Sequence, residues 1–129
     1  NFPFRKSESD YDLELPANSG DEEMLAMVAK ALEIAKQFDP ELILFQAGVD
    51  GLATDALGKL NISRQGMSKR NEMVFDLAVE QLIPTVVFMG GGYSDPIRHT
   101  IDAFSDLFHS ASRANEQFLT KVDLENTDS

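Results

Sequence analysis

The chain has 129 residues, 43% of them hydrophobic, and a formal net charge of −11 from 22 Asp and Glu against 11 Lys and Arg. That length and apolar content fit one folded domain and exclude wholesale disorder. The surplus of carboxylates excludes a nucleic-acid partner, which needs cations to displace counterions from phosphates, and the lack of cysteine excludes disulfides, thiolate zinc sites and a cysteine nucleophile.

The opening stretch NFPFRKSESD is polar and irregular. YDLEL then alternates, with Tyr11, Leu13 and Leu15 on one side and Asp12 and Glu14 on the other, a period of two that predicts a short strand with one wet face. Residues 16–20 break it. Ser19 is placed to cap a helix, with Glu22 three residues on as its capping-box partner. Leu25, Val28, Leu32 and Ala35 recur at helical steps, and Phe38-Asp39-Pro40 ends the helix, because the residue before proline is pushed out of the helical region. ELILFQA (residues 41–47) is a continuous apolar run that predicts a strand covered on both faces.

A glycine-bearing loop follows. Ser63 is a cap for the next helix, whose buried side is marked by Met67, Val74, Ala78 and Leu82, with Arg64, Lys69, Arg70 and Glu72 toward solvent. Gly66 weakens the first turn and moves the expected start to Ser68. PTVVFM is a second buried strand, ended by Gly90, Gly91 and Gly92. Ser94 or Asp95 can cap a third helix with Pro96 in its first position, its inner face lined by Ile97, Ile101, Phe104 and Phe108. Beyond Ser112 the chain turns polar; one weak helical turn near Phe118, Leu119 and Val122 and a fraying ENTDS end are expected. No apolar run approaches the roughly 20 residues that span a bilayer, and no signal peptide opens the chain. A cytoplasmic protein with no membrane partner is therefore expected.

Strand, helix, strand, helix is the order of a parallel sheet, and ligands bind just past the carboxyl ends of such strands. That rule selects two loops, AGVDGLATDALG and GGGYSD. Each holds a chemically capable residue near its strand. Asp50 can bind a metal, act as a base, or serve as a turn aspartate bonding local N–H groups. Asp55 has the same ambiguity, with the loop-holding role favoured. Tyr93 can pack over the helix start, or point a phenol into a cleft whose glycine walls let other groups approach and donate to a developing oxyanion. The glycine run also admits a phosphate-loop reading, although Asp95 stands where G-x-G-x-x-G needs its third glycine. His99 and His109 are too far apart on one helix to share a metal.

At these two loops the chain resembles the zinc-dependent histone deacetylase family, with its acetylpolyamine and acetoin-utilisation relatives. The stretches that carry the likeness are NFPFRKSESDYDLELP, SGDEEML, FDPELILFQAGVDGLATDALGKLNIS and PTVVFMGGGYS. AGVD, a following D-x-L-G and GGGY one βα unit later form the specific combination. The resemblance implies a three-layer α-β-α fold with a mostly parallel sheet, of arginase/deacetylase type, present as a partial domain. It implies that Asp50 ligates the catalytic zinc (iron being the alternative metal), that Tyr93 polarises the acetyl carbonyl opposite the metal, and that Gly91 and Gly92 wall the acetyl-lysine tunnel. The implied reaction is hydrolysis of acetyl-lysine or a similar acetylated amine to amine and acetate.

The family's paired histidines and its Asp-x-His segment do not occur in this sequence, and a catalytic zinc needs three protein ligands. The chain is therefore expected to hold no metal tightly and to be inactive by itself. Residues 1–112 are expected to be the carboxy-terminal part of the domain, starting mid-domain at Asn1, and residues 113–129 a polar tail. Two apolar strands leave open edges, which predicts self-association. The other readings are a non-enzymatic deacetylase-like interaction module and a small phosphate-binding α/β domain using Gly90, Gly91 and Gly92.

Overall fold

A computed structural model describes residues 7–128. The first six residues of the expected irregular stretch, and Ser129 of the expected fraying end, lie outside them. The elements are α1 (Asp21–Phe38), β1 (Ile43–Gln46), α2 (Arg64–Gln81), β2 (Thr85–Phe88) and α3 (Arg98–Thr127). β1 and β2 pair in parallel, Ile43 opposite Thr85 and Gln46 opposite Phe88, with α2 as the crossover. α2 packs between α1 and α3.

α1 starts one residue later than expected. Gly20 is its N-cap, and the Glu23 carboxylate accepts the Gly20 N–H at 3.0 Å. Ser19 is buried and spends its hydroxyl on the Pro16 carbonyl at 2.8 Å, closing the preceding turn. The helix ends as predicted at Phe38, with Asp39 left-handed (φ 55°). α2 begins at Arg64, not Ser68; Ser63 caps it by accepting the Gly66 N–H at 2.9 Å. Gly66 is there for space: a Cβ would lie 2.2 Å from an Asp21 carboxylate oxygen. That carboxylate in turn accepts from the Ser63 N–H at 2.7 Å and ties the starts of α1 and α2 together.

YDLEL is not a strand. Its residues carry no ladder; Leu13 and Leu15 are half-buried and Tyr11 is exposed. A period of two becomes a strand only through a pairing partner, and this segment instead lies along α1, sharing a hollow with Ala31, Ile34, Ala35 and Phe38.

The two strands are where the sequence predicts them, but they are not covered on both faces. Phe45 and Val87 turn inward to the core, and the Phe45 ring meets Phe75 of α2 edge-on at 6.0 Å. On the other face Leu44, Val86 and Phe88 are 66%, 50% and 42% exposed. The described residues thus build one helix-covered side of a sheet and leave the other bare.

α3 is one continuous helix of 30 residues, where the sequence predicts a single weak turn near Phe118, Leu119 and Val122. No glycine or proline interrupts the sequence after Pro96, and Lys121 donates to the Val79 and Glu80 carbonyls at the end of α2, satisfying groups a helix end leaves orphaned. The helix starts at Arg98 without a side-chain cap, rather than at a cap on Ser94 or Asp95. Its inner face is also turned from the expected one. Thr100, Ala103, Phe104, Leu107 and Ser110 are buried, while Ile97, Ile101 and Phe108 stay exposed. Thr100 sets this rotation, since its hydroxyl accepts the buried Ser94 N–H at 3.1 Å.

Among the described residues no helix is long and apolar enough to cross a membrane. The core gathers Met24, Ala47, Val49, Leu52, Ile62, Met67, Phe75 and Leu107. Leu107 is fully buried, so Leu107→Ala is expected to lower stability by about 2–5 kcal/mol, read as a reduced urea midpoint at unchanged slope.

Candidate active site

Both selected loops leave the carboxyl ends of β1 and β2, and backbone hydrogen bonds continue between them after the strands stop, with one extra residue on the β2 side. The Ala47 N–H donates to the Phe88 carbonyl at 2.9 Å and the Val49 N–H to the Gly91 carbonyl at 2.6 Å. Val49 is fully buried, and Gly92 packs against it so closely that a Cβ would lie 2.7 Å from its methyl group. With Val49 anchored inward, Asp50 emerges at the surface.

The Asp50 carboxylate rests over the glycine run. A Cβ on Gly91 would meet one of its oxygens at 2.8 Å, and one on Gly48 would meet the other at 3.4 Å. Asp50 also borders a hollow with Leu13, Leu15, Ala17, Gly51, Lys59 and Leu60. Tyr93 is 56% exposed and lines a different hollow with Met89, Gly90, Gly92, Thr100, Ile101 and Phe104. Asp50 and Tyr93 therefore reach the same end of the sheet and flank the same glycines, but the two hollows share no lining residue.

The loops are stitched together by Asp55. One of its oxygens accepts the Leu57 and Gly58 N–H groups at 2.9 and 2.7 Å; the other accepts the Tyr93 N–H at 2.7 Å. Around this contact the Ala56 N–H donates to the Tyr93 carbonyl at 3.0 Å, the Asp95 N–H to the Thr54 carbonyl at 3.1 Å, and the Thr54 and Ser94 hydroxyls bond at 3.0 Å.

Arg70, assigned to solvent by its charge, is instead drawn under the Asp50 loop. Its guanidinium donates to the Gly48 carbonyl at 2.7 Å, to the Ala47 carbonyl at 3.4 Å, and to the Asn71 side-chain oxygen at 2.9 and 3.1 Å. It also lies 5.6 Å from the centre of the Phe45 ring. Burial pushes its pKa down to about 10, with the Asp50 charge acting in the opposite direction, so it stays a cation at neutral pH. The spacing held a signal for this position: Arg70 and Asn71 fall between Met67 and Val74 at the core steps of α2.

Among the described residues no group of three His, Asp or Glu side chains could hold a metal. Asp50 is one carboxylate where a catalytic zinc takes three protein ligands, so these residues by themselves do not fit a zinc site. The phosphate-loop reading also meets poor geometry. No glycine among the described residues takes the left-handed φ of an anion nest, the Tyr93 N–H is already given to Asp55, and the Asp50 carboxylate lies against Gly91.

The sequence pattern of the histone deacetylase domain matches residues 5–107. The chain belongs to the histone deacetylase domain family. Among its relatives, an uncharacterized protein of Picosynechococcus sp. is 36% identical over 114 residues, covering 88% of this chain and 38% of that protein. Histone deacetylase 2 of Arabidopsis thaliana is 41% identical over 85 residues, 65% of this chain and 22% of the relative. Among solved structures, an acetylpolyamine aminohydrolase from Burkholderia pseudomallei superposes with a TM-score of 0.67 at 20% identity, over 77% of this chain and 27% of that one. The HDA15 HD domain gives 0.57 at 25% identity, over 81% and 30%. The fold is thus the α/β fold of the arginase/deacetylase type, and the chain spans well under half the length of the relatives it matches.

Gly58 completes the D-x-L-G stretch. A Cβ there would lie 1.9 Å from the Asp50 backbone carbonyl oxygen, and neither backbone can yield without opening the turn. Gly58→Ala is expected to cost about 1–3 kcal/mol as an overpacked site, with the largest amide NMR shifts at Asp50 and Gly51.

Proposed function

We propose that this chain is a portion of a metal-dependent deacetylase domain that hydrolyses an acetylated amine, with water, to the free amine and acetate. Zinc is the proposed metal, iron the alternative. Asp50 supplies one carboxylate ligand, and the other ligands and the acid–base histidines come from a part of the domain outside this chain. The Tyr93 phenol donates a hydrogen bond to the acetyl oxygen as it gains charge. Gly91 and Gly92 form the floor over which the acyl arm lies, because side chains there would collide with Asp50, Val49 and Thr100. The observation that carries the reading is the stitched loop pair, which brings Asp50 and Tyr93 to the carboxyl end of two parallel strands in a chain of this family.

The substrate class is an acetyl-lysine side chain or an acetylated polyamine. Support for a cationic substrate comes from the net charge of −11, since a surface of one sign raises the local concentration of the other. By this reading the isolated chain is inactive, having too few ligands to hold the metal.

The test is a chimera in which the segments of the Picosynechococcus relative that this chain does not match are joined to it and loaded with zinc. Acetate release from an acetyl-lysine peptide or acetylated polyamine is expected from the chimera and not from the chain alone. Asp50→Ala is expected to abolish zinc uptake. Tyr93→Phe should keep the metal and lower kcat about 10²–10³-fold. Full activity in both variants overturns the assignment.

A second reading, an interaction module, is favoured by the bare sheet face. Leu44, Val86 and Phe88 form an apolar row on a two-stranded sheet whose outer edges are unpaired among the described residues. We propose that the isolated chain self-associates there. Light scattering is expected to give a mass above the 14.3 kDa of one chain, returning to it in Leu44→Lys/Val86→Lys. A monomer at high concentration in the parent chain rejects this.

A further inference from the structure

We propose that Asp55 is a positioning residue that aims Tyr93 and couples it to the Asp50 turn, an inference that rests on the deacetylase reading of Tyr93. The Tyr93 ring is mostly solvent-exposed, so packing does not hold it. Its backbone is held on both sides instead: the N–H donates to Asp55 and the carbonyl accepts from Ala56. Fixing both peptide groups fixes the direction of the Cα–Cβ bond, and the phenol is left only its own side-chain rotations.

The contact demands a carboxylate. An ionised aspartate is acceptor-only, with two oxygens, and here both oxygens face donors: Leu57 and Gly58 on one side, Tyr93 on the other. Asparagine cannot serve both sides, because its NH2 group would point at an N–H. The same carboxylate accepts the Gly58 N–H and holds Gly58 where an added Cβ would strike the Asp50 carbonyl. One side chain therefore sets the position of Tyr93 relative to the turn that presents Asp50. Asp55 touches no reacting atom in this scheme, and its effect is through Tyr93.

The experiment has two arms. In the chain itself, NMR follows amide exchange and the three-bond couplings that report the Tyr93 χ1 rotamer. Asp55→Asn is expected to speed exchange of the Tyr93 amide about tenfold or more and to average the χ1 couplings, while core amides such as Leu107 keep their protection. Unchanged exchange and couplings at Tyr93 overturn the inference. If core protection is lost in the variant, the unaltered chain decides. A scalar coupling across the hydrogen bond from the Tyr93 amide nitrogen to the Asp55 carboxyl carbon is expected, and its absence overturns the inference. In the zinc-loaded chimera, Asp55→Asn is expected to lower kcat about ten- to a hundredfold with KM and metal content unchanged. Loss of metal instead marks a merely structural role. A chimera without any activity removes the deacetylase reading but leaves the NMR arm standing, so the two failures are distinct.

Discussion

The parallel pairing of β1 with β2, continued past the strand ends, is the constraint on which the rest depends. Strands of four residues are short, yet backbone pairing runs on into the loops through the Ala47–Phe88 hydrogen bond and, after one extra residue on the β2 side, the Val49–Gly91 bond. Two loops that are far apart in sequence are thereby held at backbone distance. The glycines are a consequence of that closeness. Gly91 and Gly92 lie where side chains would collide with Asp50, Val49 and Thr100, so the approach of the two loops and the glycine run require each other.

The helices serve this junction from below. α2 brings Phe75 against Phe45 and sends Arg70 up to the Ala47 and Gly48 carbonyls. A partly buried cation is costly unless it is hydrogen-bonded. This one is satisfied by carbonyls, an amide oxygen and an aromatic face, with no carboxylate within salt-bridge distance among the described residues. Its charge remains available to the field around Asp50. α3 contributes the buried Thr100 hydroxyl that takes the Ser94 N–H, just after Tyr93. The loop that carries Tyr93 is thus anchored at both ends, in the sheet and in α3.

The bare face of the sheet and the lone carboxylate at its end point the same way. Leu44, Val86 and Phe88 are apolar residues facing solvent, and Asp50 is a carboxylate with no metal-holding group of three around it among the described residues. A parallel sheet is ordinarily covered on both faces, and a catalytic metal is held by side chains from several elements. On the proposed deacetylase reading each feature is completed by further protein, and the share of each relative that the chain covers supports that reading.

Much of this was legible in the sequence. The apolar runs 41–47 and 84–89 marked the strands, Ser63 and Asp39 marked helix ends, and the loops with Asp50 and Tyr93 followed from strand order alone, because local backbone preferences and periodicity act over a few residues. Tertiary structure decided the remainder. YDLEL alternates but finds no ladder, α3 turns its Thr100 side inward against the pattern of Ile97, Ile101 and Phe108, and Arg70 goes under the loop despite its charge. The physical reason is common to all three. Pairing, rotation and burial depend on which distant group stands opposite, and the hydrogen bonds of Asp55 to Tyr93 and of Arg70 to Gly48 join residues 38 and 22 positions apart. Composition and periodicity contain no record of such partners.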